Sequence, residues 1–139
     1  MKKLLSIAFV LISLQAFCQG QFQKEAAGSI GFVSGQIMQL AGAIPADKYA
    51  YTPQTGVRSV AEVCAHIIGG NYLFASKLGG KVPDGLNVQT LEKDLKSKDA
   101  IAAELKRSFD IVIAAVKNTP DASLGNKVVF PFPESITQA

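Results

Sequence analysis

Apolar residues recur three and four positions apart in three separate runs of this chain, a spacing that lays one face of an α-helix toward a core and does not suit strands. The first run is Ile30, Val33, Ile37, Leu40, Ala41 and Ile44, from Glu25 until Pro45 stops it. Its Gly28, Gly31, Gly35 and Gly42 each weaken a helix by about 1 kcal/mol relative to alanine, so partners must hold it in place. The second run is Val60, Val63, Cys64, Ile67, Phe74 and Leu78. Ser59 followed three residues later by Glu62 opens it as a capping box, and Gly79, Gly80 and Pro83 close it. The third lies within residues 91–118 and carries Ile101, Leu105, Phe109, Val112 and Val116, with Lys98, Lys106, Arg107 and Lys117 marking a solvated side.

The connections follow from the breakers. Residues 46–57, with Pro53 and Gly56, form a turn-rich link whose Tyr49 and Tyr51 are expected to pack onto the domain, and residues 81–87 read as loop. Residues 127–133 form an extended apolar piece in which Pro131 and Pro133 forbid regular helix and central strand; it should lie across the end of the bundle. Residues 134–139 look like the first turn of a further helix. The fold expected is all-α.

Ahead of the first run stand Lys2 and Lys3, an apolar stretch over residues 4–14, and the small residues Ala16 and Cys18 just before Gln19. That is the pattern of a secretory signal peptide over residues 1–18, cut after Cys18, its apolar core too short for a permanent anchor. Acylation of Cys18 is the alternative, and bulky Phe17 before it argues against that. The expected protein is exported, periplasmic or secreted, without a stable membrane anchor. Residues 19–139 then form one domain of about 120 residues, long enough for a core. Of the formal net charge of +3, Lys2 and Lys3 supply two, which leaves no basic footprint for nucleic acid. Cys64 is the one cysteine beyond the leader, so no intramolecular disulfide is expected and stability must come from packing.

His66 is the one histidine. At about 100° per residue it falls on the flank of the second helix's apolar stripe, beside Gly70 and Leu73, with Glu62 one turn earlier. Glu62 there can orient the imidazole or act as an acid or base, although its capping role already explains it. One histidine makes no metal site, and a half-buried, satisfied imidazole is the plainer reading of the residues alone. Cys64 and His66, two apart, point away from each other and form no dyad. No phosphate loop, paired carboxylates or nucleophile elbow appears, so no catalytic residue and no cofactor-binding motif is assigned.

The segment Ile44-Pro45-Ala46-Asp47-Lys48-Tyr49, then Pro53, Gly56-Val57-Arg58-Ser59-Val60-Ala61-Glu62, Ala65-His66-Ile67 and Asn71-Tyr72, resembles the DinB family of metal-binding four-helix bundles. The resemblance runs over residues 26–132 and is most specific over residues 53–66. It implies a divalent metal (zinc, nickel or manganese) held by three histidines, one on the second helix and two at H-x-x-x-H spacing on the last. His66 matches the first of these as the metal ligand. The other two have no counterpart here, so the site is expected to be incomplete, tight metal binding by this chain alone is not expected, and the last helix is expected to be largely missing, through truncation. An apolar groove would then stay uncovered where that helix packs, which makes a homodimer an expectation.

The family's known activities imply a metal-dependent enzyme of the transferase or hydrolase type acting on a small molecule. Export favours hydrolysis, since low-molecular-weight thiol cofactors are cytosolic. The alternative is a non-catalytic helical binding or stress-associated module.

Overall fold

The computed structural model of the chain describes residues 20–130, which hold four helices and no strand. Helix α1 spans Gln21–Ala43, α2 Val60–Lys77, the single turn α3 Leu91–Asp94, and α4 Lys98–Asn118. Helix α4 packs against both α1 and α2, while α3 lies on α2. The leader expected over residues 1–18 and the turn expected over residues 134–139 lie outside the described residues.

Local chemistry sets the boundaries. At the start of α2 the Ser59 hydroxyl accepts from the Glu62 N–H (3.3 Å) and the Glu62 carboxylate accepts from the Ser59 N–H (2.9 Å), the reciprocal pair expected from the sequence. At its end Gly79 takes φ +80°, Gly80 N–H donates to the Ala75 carbonyl (2.8 Å) and Gly79 N–H to that of Ser76 (3.1 Å), so the last carbonyls are satisfied by a left-handed cap. The Cβ of any residue in place of Gly80 would stand 3.0 Å from the Ala115 methyl, so this glycine lets the loop close onto α4.

The third run, whose spacing predicts one helix, is broken. Residues 91–94 make one turn, Leu95 is extended, and Ser97 then caps a new helix by accepting from the Ala100 N–H (3.3 Å). Lys98, read as part of a wet face, instead donates to the carbonyls of Gly42 and Ile44 (2.7 Å each) and so caps the C-terminal end of α1. Helix α1 begins at Gln21, four residues before Glu25. Its start is tied across the bundle, since the Gln23 amide donates to the Thr119 carbonyl and the Asp121 carboxylate.

Ile68, Tyr72, Ile101 and Leu105 are fully buried at the centre of the core, with Phe109 and Val112 on the same face of α4. On α2 the buried face is rotated from the expected stripe. Ala61, Cys64, Ala65, Ile68, Tyr72 and Ala75 face inward, whereas Val63, Phe74 and Leu78 remain exposed. The alanines allow close approach to α4 around the buried Ile68 and Tyr72. Val33 and Leu40 of α1 are likewise exposed. Tyr49 packs down as expected, its hydroxyl donating to the Ala41 carbonyl (2.8 Å), but Tyr51 does not. Of the extended apolar piece, Phe130 meets Phe74 edge to face at 5.6 Å, near the end of α2.

Candidate functional site

Arg58, Glu62 and His66 stand at the start and on the outer flank of α2, and α3 brings Glu92 to them. Burial of Leu91 against α2 seats that single turn, so its neighbour Glu92 faces outward beside His66. Val88 approaches α2 at Gly69, where an added Cβ would meet its Cγ1 at 3.3 Å. A polar cluster results: Glu92 Oε1 lies 2.9 Å from His66 Nδ1, and Glu92 Oε2 accepts from Arg58 Nε at 2.8 Å. Alongside it, Lys96 Nζ donates to Glu62 Oε1 (3.1 Å) and to the Glu92 carbonyl (2.6 Å).

The hydrogen bonds fix the protonation pattern. The Arg58 guanidinium, with a smaller contribution from His66, holds the Glu92 carboxyl below its ordinary range, and the same contact raises Arg58. An ionised carboxylate only accepts, so Nδ1 of His66 carries the proton and donates it. In the neutral imidazole Nε2 is then a lone pair, without a hydrogen-bond partner among the described residues. The imidazole is 62% exposed, and the half-buried placement read from the sequence does not hold. Glu62 does not orient His66 either. Its carboxyl is held down at about 2, chiefly by the Ser59 N–H and then by Lys96, and Glu92 takes the orienting role.

Glu92 lies 26 residues from His66, too far for any periodicity to link them. The faint signal available was an acidic residue beside the apolar Leu91 in a short turn. Cys64 is buried with the core and its thiol is pushed up by that burial, in agreement with rejection of a Cys-His pair.

His66 and Glu92 stand at the mouth of a cavity of about 580 Å³, walled by Gly69, Gly70, Leu73, Val82 and Val88 among others. A second, apolar hollow of about 270 Å³ runs between α1 and α2, where Ile37, Leu40, Ile44, Val60, Val63 and Ile67 face one another.

An all-α bundle with a carboxylate-braced histidine beside a pocket defines the class. The chain belongs to the DinB superfamily: residues 34–138 match the sequence model of that superfamily. Comparison with curated proteins and with solved structures found no match. The superfamily is generally metal-binding. Among the described residues, however, no group of three or more His, Cys, Asp or Glu side chains could hold a metal ion. His66 offers one nitrogen, and both oxygens of Glu92 are already engaged. The described residues therefore do not complete a metal site. No described helix is long and apolar enough to cross a membrane.

Proposed function

We propose that this DinB-superfamily protein binds a small molecule at the cavity beside His66, with Nε2 of that residue meeting the ligand. The observation that carries the reading is the 2.9 Å contact from Nδ1 to Glu92, which fixes the ring's orientation and tautomer and turns its lone pair outward. A cavity of about 580 Å³ is within the usual range for small-molecule sites. The test is a thermal-shift screen of a small-molecule collection against wild type and His66→Ala. Ligands that stabilise wild type and lose their effect in the variant support the reading; ligands indifferent to the substitution oppose it.

The same brace favours a second reading, a divalent-metal-dependent enzyme of the hydrolase or transferase type, because metal-ligating histidines present one nitrogen in this way while the other is held by a carboxylate. That reading needs ligands beyond His66, the chain's one histidine. Calorimetric titration with zinc, nickel or manganese checks it: weak binding is expected from this chain alone. Tight binding that disappears in His66→Ala would establish a metal site made without further histidines.

We also propose export, on the charged and apolar pattern of residues 2–18. Intact mass of the protein recovered outside the cytoplasm should correspond to a chain that begins at Gln19, and recovery with the leader in place would refute it.

A further inference from the structure

The two adjacent glycines in the middle of α2 are not explained in the same way. Glycine in a helix interior costs stability relative to alanine, so each calls for a reason. Gly69 has one in packing, since Val88 comes within 3.3 Å of where its Cβ would be. At Gly70 a Cβ would meet nothing within 4 Å, and the space beyond it is the cavity beside His66. What Gly70 preserves is therefore open volume.

The walls of that volume indicate what fills it. Leu73, Val82 and Val88 present hydrocarbon, and apolar surface makes up most of the lining. Among the described residues Glu92 is the charged side chain in its lining, and it is already committed to Arg58 and His66. A charged ligand entering here would lose its hydration without gaining a free counter-charge. An uncharged one meets hydrocarbon walls, the neutral side chains of Ser76 and Gln89 and, at the mouth, a lone pair on Nε2 of His66.

We propose that the cavity binds an uncharged, largely apolar small molecule carrying a hydrogen-bond donor, its body lying beside Gly70 and its donor directed to His66. This rests on the reading that the cavity beside His66 is the ligand site, and it adds the class of ligand. The groove between α1 and α2 is a separate surface and takes no part.

The experiment is a fluorescence titration with N-phenyl-1-naphthylamine, a neutral apolar probe with one N–H, against four proteins: wild type, Gly70→Leu, Leu40→Lys and His66→Ala. Gly70→Leu puts a side chain into the cavity without a backbone clash, and Leu40→Lys alters the groove alone. Saturable binding to wild type is expected, unchanged in Leu40→Lys and at least about tenfold weaker in a Gly70→Leu protein whose helical circular dichroism matches wild type, with loss of one neutral hydrogen bond weakening His66→Ala about fivefold. Gly70→Leu binding within twofold of wild type would overturn the proposal, as would absence of saturable binding to wild type or tighter binding of the anionic 1-anilinonaphthalene-8-sulfonate. Loss in Gly70→Leu with unchanged binding in His66→Ala would uphold the cavity and its apolar ligand while removing the role given to His66.

Discussion

Glu62 serves two neighbours at once, the Ser59 N–H that opens α2 and the Lys96 ammonium across from it, and both favour its charged form. Its folded-state value of about 2 lies below the ordinary 4.5, so the stability it contributes is fully present above the ordinary value and is lost as pH falls toward 2. Acid titration followed by circular dichroism should show wild type losing stability over that window, with Glu62→Gln less stable at neutral pH and flatter below it. Ser59→Ala removes the other half of the cap and should cost about 1 kcal/mol in a urea melt. His66→Ala should stay within about 0.5 kcal/mol, because the ring is mostly exposed and gives up one surface contact; a larger loss would mean that the imidazole supports the fold. The capping box was legible because both partners lie within one turn. The brace on His66 was not, because Glu92 reaches it only through the folding of α3 onto α2.

Helix α2 shows why apolar spacing located the elements but misjudged their faces. Its inward surface is built from alanines and Cys64 around Ile68 and Tyr72, while Val63, Phe74 and Leu78 stand outward, so a stripe drawn through those three turns away from α4. The break at residues 95–97 escaped for a related reason: Leu91 and Leu95 continue the helical spacing, and Ser97 becomes a cap only through its Ala100 contact. The glycines give the element-scale prediction. Gly70→Ala should raise stability by up to about 1 kcal/mol, since it relieves the helix-interior penalty in open space. Gly69→Ala should gain less or nothing, because Val88 has to move by a few tenths of an ångström. Gly80→Ala should destabilise, its methyl forced to 3.0 Å from both Ala115 Cβ and the Ala75 carbonyl oxygen. Thermal melts of the three variants give the order.

The molecule's core is gathered on one side. Helix α4 is the hub that both long partners touch, and Ile68, Tyr72, Ile101 and Leu105 are sealed around it, whereas α1 and α2 leave Leu40 and Val63 exposed along their shared groove. The fold class followed from the three apolar runs; which side chains share the solvent side of α1 depends on helix packing that local spacing does not encode. A hub of this kind makes substitutions strongly unequal. Leu105→Ala should cost about 2–5 kcal/mol, the range for deleting a buried leucine side chain, and should lower cooperativity because α1 and α2 are joined chiefly through α4. Leu40→Lys should cost no more than about 0.5 kcal/mol if the groove is open in solution, as for other exposed sites. Urea melts at two protein concentrations separate the cases. A Leu40→Lys penalty that grows with concentration, together with a wild-type mass of two chains by light scattering, would show that a second copy covers the groove. A small penalty, the same at both concentrations and with a one-chain mass, fits a groove that stays open in the monomer.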